Sequence, residues 1–304
     1  MKKDLLSLAD LTKEEMLGIF EKTTLLKKKP HSMPSVLKNK VIGLIFQKPS
    51  NRTRVSFEVG AMQLGAFSLY LGPGDIRFGE RESIKDIARV LSRYLDLVVI
   101  RTFNHNNILE FAEYASIPVI NGLSDLFHPC QALGDFFTIR EELGSLKNKT
   151  ICFVGDGNNV LHSLLYCAAK TGLNMKIATP KGYEPSKKIL QSSVSMAKKT
   201  GAKIEMLHDP KKAAKDADII YTDVWVSMGQ EKEKFVRIKA FKGFNVNSKL
   251  VSLAKKSALV MHCLPAHRGE EITDEVMEAK NSITFDQAEN RLHVQKAVML
   301  KLLT

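Results

Sequence analysis

The feature that most constrains the fold of this chain is a regular alternation of short apolar runs with longer segments of helical spacing. Strand-like runs occupy residues 41–46, 67–71, 97–101 and 118–121, and helical spacing occupies residues 52–64, 83–94 and 129–142. Strands that take turns with helices need crossover connections, which favour a mostly parallel sheet. We therefore predict an α/β fold, with Val55, Val59 and Met62 of the helical segment 52–64 facing inward.

A second alternating series follows a polar, turn-rich break at residues 144–149. Its strand-like runs are 151–155, 174–179, 203–207, 219–223 and 259–263, and residues 287–303 close the chain with helical spacing. A chain of 304 residues also exceeds the usual size of one hydrophobic core. We predict two doubly wound parallel-sheet domains linked by long helices. The first spans residues 1–135, completed by a returning C-terminal helix (287–304), and the second spans 136–286.

The net charge of +12 decides little by itself, because it reports on the field of the protein and not on a site. The lysines are scattered, without a basic arm or interleaved aromatic residues, so we expect no nucleic-acid partner. No run approaches ~20 apolar residues, which predicts no membrane span. The four cysteines occur singly, which fits a reducing cytoplasm and suggests neither a disulfide framework nor a metal site.

The first candidate site is the sequence Ser50-Asn51-Arg52-Thr53-Arg54, where a strand hands over to a helix. Free backbone N–H groups and the helix dipole favour an anion at such a place. Guanidinium groups and hydroxyls match the oxygens of a phosphate dianion. The alternative is a capping Ser50 with exposed arginines, and the spacing alone does not decide between them.

A second candidate is His128-Pro129-Cys130-Gln131, which lies in a loop before a helix. Ligands of open parallel sheets bind beyond the carboxyl ends of strands, so Arg101 and His128 can converge on the Ser50 turn. The alternative is a capping or core histidine.

The segment from Gly155 to Val160 has the look of a dinucleotide-binding turn. Val160 replaces the third glycine, however, and the next strand ends in Thr179-Pro180, without the acid that would bind a ribose. A nicotinamide cofactor is therefore disfavoured. The alternative is that Asn158 and Asn159 are amide ligands for a polar substrate.

Three further segments follow strand ends or begin the last helix. Asp223 can receive an ammonium group, and Ser227 with a glycine-containing turn can bind a carboxylate, which together match the head of an amino acid. A surface loop would leave Trp225 and Met228 unexplained. His262-Cys263-Leu264-Pro265 and residues 286–291 are not diagnostic alone, because a lone cysteine is more often an inert buried thiol.

Together and in this order, these segments resemble the aspartate/ornithine carbamoyltransferase family over essentially the whole chain. Ser-x-Arg-Thr-Arg and His-Pro-x-Gln are shared by the wider family, whereas Asp-x-x-x-Ser-Met-Gly and His-Cys-Leu-Pro are the ornithine-type signatures. The resemblance implies transfer of a carbamoyl group from carbamoyl phosphate to the side-chain amine of L-ornithine, giving L-citrulline and phosphate, without a cofactor. It also implies a homotrimer, with further assembly of trimers left open.

The resemblance assigns residue roles as well. Ser50, Asn51, Arg52, Thr53 and Arg101 would hold the phosphate, while Thr53, Arg101 and His128 would polarise the carbonyl oxygen. Gln131, the main-chain oxygens of Cys263 and Leu264, and Arg291 would position the carbamoyl nitrogen. Asn159, Asp223, Ser227 and Met228 would hold the ornithine head, and Cys263 and Asp223 would orient the reacting amine.

Two positions depart from the family pattern. Asn51 stands where the family usually has threonine, and Gly74 stands where a glutamine often reaches the carbamoyl phosphate of a neighbouring subunit. Aspartate carbamoyltransferase is the nearest rival, but it would be expected to carry basic residues where this chain has Asp223 and Ser-Met-Gly. Putrescine and N-acetylornithine are weaker alternatives as acceptors.

Overall fold

The computed structural model describes residues 3–29, 35–227 and 229–304. The chain divides into two compact units, residues 1–137 with 289–304 (unit 1) and residues 138–288 (unit 2). Among the described residues, no helix has both the length and the apolarity to cross a membrane. The predicted α/β class with two parallel sheets is confirmed.

Unit 1 alternates helices and strands in chain order. Its elements are α1 (Lys13–Lys28), β1 (Val41–Phe46), α2 (Asn51–Gln63), β2 (Phe67–Leu71), α3 (Ile84–Leu91), β3 (Leu97–Arg101), α4 (His105–Tyr114), β4 (Val119–Leu123) and the start of α5 (Pro129–Leu143), with the last part of α12 (Thr284–Leu303).

The sheet of unit 1 is parallel and has the order β2-β1-β3-β4. The chain moves from β1 to one side and then returns to place β3 on the other, so the strand order reverses between β1 and β3. Phe46 and Arg101 are register partners at the carboxyl ends of these two strands. Loops diverge at such a reversal and leave a crevice, which is where open α/β sheets bind ligands.

Helix α2 differs from the prediction in the face that it buries. Phe57, Gly60 and Ala61 are buried, whereas Val55 and Met62, predicted to face inward, are 48% and 67% exposed. Apolar spacing identified the helix correctly but could not tell a core face from an apolar surface face.

Unit 2 repeats the alternation. Its elements are β5 (Thr150–Val154), α6 (Asn159–Thr171), β6 (Asn174–Ala178), α7 (Lys187–Ala197), β7 (Ile204–Leu207), α8 (Pro210–Ala214), β8 (Ile219–Thr222), α9 (Lys234–Ala240), α10 (Ser248–Val251), β9 (Leu259–His262) and α11 (Asp274–Met277).

The sheet of unit 2 is also parallel, in the order β7-β6-β5-β8-β9. Its order reverses between β5 and β8, and Val154 and Thr222 are register partners at their carboxyl ends. An apolar core that includes Val154, Ile220, Trp225 and Phe241 packs against one side of these strands. The loops that follow β5 and β8 therefore start from a rigid base at the second crevice.

Candidate active site

In unit 1, the turn after β1 forms the N-terminus of α2. The Ser50 hydroxyl accepts a hydrogen bond from the backbone N–H of Thr53 at 3.2 Å and so caps the helix. Thr53 is buried, whereas Asn51 is exposed. The capping alternative is therefore correct for Ser50, and it does not compete with an anion site, because the dipole of a capped helix still favours negative charge.

Two further arginines lie beside this turn. Arg101 ends β3 and is 7% exposed. Arg291, on α12, donates from Nη2 to the Thr53 hydroxyl at 2.9 Å. Gly134 of α5 allows Arg291 to approach, because a Cβ at that glycine would lie 3.2 Å from the Arg291 Cγ. We call Ser50, Arg52, Thr53, Arg101, His128 and Arg291 the guanidinium cluster.

The guanidinium cluster is strongly electropositive. Burial, together with the charges of Arg291 and Arg52, lowers the pKa of Arg101 to about 10. Burial, with the charges of Arg291, Arg101 and Arg52, holds the pKa of His128 well below its usual value, so its imidazole is neutral at neutral pH. Positive charges that lie this close together favour a bound anion with several oxygens. The neutral imidazole of His128 can still donate a hydrogen bond to a carbonyl oxygen.

Helix α5 begins directly after His128. The His128 carbonyl accepts from the backbone N–H groups of Gln131 and Ala132, and the Gln131 amide donates to Asp135 Oδ1 at 2.8 Å. Gln131 and Asp135 are both buried. This bond fixes the orientation of the Gln131 amide, so that its oxygen is available as an acceptor in a defined direction.

Arg54 belongs to the sequence motif but is engaged elsewhere. Its Nε donates to Glu58 at 2.9 Å, and its guanidinium lies 3.8 Å from the centre of the Tyr70 ring. The Arg54 guanidinium is therefore held at the surface of α2 by contacts with Glu58 and Tyr70. The reason is helix geometry, since Arg54 and Glu58 are neighbours one turn apart on the surface of α2.

In unit 2, Asp223 follows β8 and is held by three donors. Asn158 donates to its Oδ2 at 2.7 Å, while the N–H of Val224 and the thiol of Cys263 lie 2.8 Å and 2.9 Å from its Oδ1. Asp223 is 5% exposed. A carboxylate fixed in this way is oriented to accept from an amine. We call Asn158, Asp223 and Cys263 the Asp223 cluster.

Asn158 contacts Asp223 directly, whereas its neighbour Asn159 is the residue predicted to hold the substrate. The Asn158 side-chain oxygen caps α6 by accepting from the N–H groups of Val160 and Leu161, which turns its amide nitrogen toward the carboxylate. Asn159 is the first residue of α6 and is half-buried. The cap therefore determines which asparagine orients the acid.

The turn after β9 carries Cys263 and Leu264. Leu264 has φ +58°, a left-handed conformation that residues with a side chain rarely adopt. Its N–H donates to Nδ1 of His262 at 2.8 Å. The ligand atoms of Asp223, His262 and Cys263 lie within 4.8 Å of one another, as in a metal site, but both ring nitrogens of His262 are already engaged.

A buried ion pair supports the loop after β8. Arg237 of α9 pairs with Asp156 and donates from Nε to the carbonyl of Trp225 at 2.6 Å. Burial raises the pKa of Asp156 to about 6 even though the charge of Arg237 opposes the shift. The desolvation cost thus exceeds the attraction, as is common for buried pairs.

The predicted Ser-Met-Gly turn follows Trp225, whose carbonyl accepts from Arg237, in the sequence. The N–H of Ser227 donates to Gln230 Oε1 at 3.0 Å, and the N–H of Gly229 donates to Glu231. Met228, predicted to contact the substrate, lies outside the described residues.

Comparison with known proteins decides the family. The carbamoyl-P binding domain of aspartate/ornithine carbamoyltransferase matches residues 3–141, and the Asp/Orn binding domain of the same family matches residues 147–302. The chain belongs to the aspartate/ornithine carbamoyltransferase family.

Members of this family named ornithine carbamoyltransferase are similar over nearly their whole length. The protein of Thermococcus kodakarensis is 53% identical over 98% of this chain and 95% of its own length, and that of Archaeoglobus fulgidus is 54% identical over 99% and 97%. The solved structure of the Pyrococcus furiosus ornithine carbamoyltransferase has a TM-score of 0.96 at 51% identity and covers 99% of this chain and 97% of its own.

The family resemblance assigned no role to several buried residues that support the candidate site. Asp156 and Arg237 form an ion pair beside the loop after β8, and Glu271 contacts His262. His262 lies within a motif and Asp156 adjoins Gly155 and Gly157, but nothing local in the sequence identifies the partners of either. A buried arginine in the charged segment 231–242 has no sequence signal that separates it from its exposed neighbours.

Proposed function

We propose that this chain transfers the carbamoyl group of carbamoyl phosphate to the side-chain amine of L-ornithine, giving L-citrulline and phosphate. The observation that carries the proposal is the pair of clusters at the two strand-order reversals, one built for an anion and one around a fixed carboxylate. The names of the similar proteins support the same reaction.

We propose that residues 1–135 with 287–304 bind carbamoyl phosphate and residues 136–286 bind ornithine. Ser50, Asn51, Arg52, Thr53 and Arg101 would hold the phosphate group. Gln131, Arg291 and the main-chain oxygens of Cys263 and Leu264 would position the carbamoyl nitrogen. Asn159, Asp223, Ser227 and Met228 would hold the ornithine head.

The chemistry needs no covalent intermediate. The ornithine nitrogen attacks the carbamoyl carbon and negative charge develops on the carbonyl oxygen. The bond from carbon to the phosphate oxygen then breaks, and the proton lost by the nitrogen leaves with the phosphate as hydrogen phosphate. Thr53, Arg101 and His128 would stabilise the carbonyl oxygen, and removal of one such donor typically costs ~10²–10³ in rate. Asp223, with Cys263, would orient the amine, which must be neutral to attack. Because an alkyl ammonium has a pKa of roughly 10.4, turnover should rise toward alkaline pH.

We propose that the chain forms a homotrimer in the cytoplasm. A homotrimer is supported by the apolar surface of unit 1, where Phe67 and Leu69 of the edge strand β2 are 72% and 47% exposed. A cavity of about 500 Å³ beside this edge, lined by Leu69, Leu71, Val90 and Leu91 among others, is a ready seat for a second copy. The four cysteines are buried and none forms a disulfide in the described part of the chain, which is consistent with the cytoplasm.

The test is to offer carbamoyl phosphate with ornithine, aspartate, putrescine or N-acetylornithine separately, and to identify each product. Citrulline from ornithine alone is expected. The variant Asp223→Asn should lower kcat/KM for ornithine about 10²-fold, since the amide cannot accept from all three donors and the amine. The matched control is Asp209→Asn, at the half-buried cap of α8. Transfer to aspartate instead would keep the anion site and overturn the acceptor.

A further inference from the structure

His262, the last residue of β9, is completely buried, and its backbone N–H and both ring nitrogens are hydrogen-bonded. Its backbone N–H donates to Gln287 Oε1 at 3.0 Å. Its Nε2 lies 2.9 Å from Glu271 Oε1, and its Nδ1 lies 2.8 Å from the backbone nitrogen of Leu264. The imidazole is therefore fixed at both ends.

The contact with Leu264 determines the protonation state of this ring. A backbone N–H can only donate, so Nδ1 must present its lone pair to Leu264. The ring proton then lies on Nε2 and is donated to Glu271. That carboxylate is also completely buried, and its Oε1 accepts a second bond from the N–H of His267 at 2.6 Å. His262 is thus a neutral imidazole of one tautomer, with no ring nitrogen left to exchange a proton with Cys263.

The hydrogen bond from the Leu264 N–H to Nδ1 of His262 holds the backbone conformation of the turn after β9. The φ angle of Leu264 sets the plane of the peptide that contains the Cys263 carbonyl, and that angle is +58°. A leucine relaxes from the left-handed region unless its surroundings hold it there. The imidazole accepts from this very peptide, so it holds the carbonyl orientation that the turn needs.

We propose that His262 is a positioning residue for carbamoyl transfer: as a neutral acceptor for the Leu264 N–H, it fixes the Cys263 main-chain oxygen, one of the two proposed to hold the carbamoyl nitrogen. This rests on the proposed function, in which the oxygens of Cys263 and Leu264 bind that nitrogen. It assigns to Glu271 the role of selecting the tautomer, and it assigns to the histidine no part in proton transfer.

Two substitutions separate the two ends of the ring. In His262→Asn the side-chain oxygen can take the place of Nδ1 and accept from Leu264, whereas in His262→Gln the longer side chain reaches toward Glu271 and leaves Leu264 without its acceptor. Both remove the same ring from the same core. We expect kcat/KM for carbamoyl phosphate to fall about 10²-fold in His262→Gln, since a misplacement near 1 Å has that effect, and less than about 10-fold in His262→Asn.

The inhibition constant of inorganic phosphate serves as a control, because general damage to the protein would change it. The phosphate would be held by unit 1, so this constant should stay within about two-fold of wild type in both variants. Equal losses of kcat/KM in the two variants, or a parallel loss of phosphate inhibition, would overturn the proposal. Failure of the wild-type enzyme to make citrulline would instead overturn the proposed function.

Neutron diffraction from crystals of the wild-type enzyme tests the same point without a substitution. Hydrogen on Nε2 and none on Nδ1 is expected. Hydrogen on Nδ1 would refute the proposal even if neither variant folds.

Discussion

At the scale of single residues, the two arginines of one short motif have separate tasks. Arg52 contributes to the field at Arg101 and His128, whereas Arg54 binds Glu58 and covers the Tyr70 ring. Alternate residues at a helix start point in different directions, so the motif letters do not assign both guanidiniums to one ligand.

The variants Arg52→Gln and Arg54→Gln test this separation. We expect the first to raise the KM for carbamoyl phosphate about 10²-fold, because it removes a charged donor from a phosphate dianion. The second should change that KM by less than about three-fold, since an exposed ion pair on a helix contributes little. Initial-rate kinetics at saturating ornithine measure both, and equal effects would contradict the division.

The carboxyl group of Asp156 makes a contribution to the free energy of unfolding that depends on pH. Its folded pKa of about 6 lies above the ordinary value of 3.8, so the native state binds the proton more tightly than the unfolded state. Stability from this group is therefore complete below pH ~4 and is lost as the pH rises through about 6.

Urea unfolding at several pH values, compared between the wild type and Asp156→Asn, isolates this term. From pH 7 to pH 5 the wild type should gain stability relative to the variant, by on the order of 2 kcal/mol at most. A relative gain in the opposite direction would mean that attraction to Arg237 outweighs burial.

At the scale of elements, the strands were the easiest part of the fold to predict. Parallel strands buried on both faces have uninterrupted apolar sequences, and residues 41–46 and 97–101 were recognised in this way, whereas the edge strand at 67–71 is largely exposed. Helix α2 was also recognised, but Val55 and Met62 were assigned to the wrong face, because apolar spacing does not distinguish a buried face from an exposed one.

The candidate site was predictable only where a motif repeats a known chemistry. Asp223 and Arg101 follow strands and carry that signal, whereas Arg237 and Glu271 gain their roles from contacts with residues distant in sequence. Asn158 and Asn159 differ only in which one caps α6, and that depends on a backbone angle. Such choices are decided by packing and are not visible in the order of residues.

Gly157 tests how tightly the loop after β5 is built. A Cβ at this position would overlap the peptide that joins Glu184 to Pro185, so Gly157→Ala should destabilise the protein by about 1–3 kcal/mol. Gly18 of α1 has no atom within 4 Å of the corresponding position, and Gly18→Ala should stabilise by up to about 1 kcal/mol. Thermal unfolding of the two alanine variants should shift in opposite directions.

At the scale of the whole molecule, the apolar edge of unit 1 predicts association. The variant Phe67→Glu should shift the mass measured by light scattering from a trimer toward a monomer, since it places a charge on the surface proposed to pair. Phe235→Glu is the matched control, because Phe235 is 88% exposed in unit 2. A trimer that survives Phe67→Glu unchanged would place the contact elsewhere.

The two strand-order reversals also bear on how such an enzyme can change its substrate. Each crevice has its own sheet and its own loops, so the loops after β5 and β8 can be exchanged without altering a residue of the guanidinium cluster. If these loops select the acceptor as proposed, we expect that exchange of a short segment such as residues 223–230 changes the acceptor and leaves the donor site intact. Such an architecture allows the donor site to be kept while the acceptor site changes.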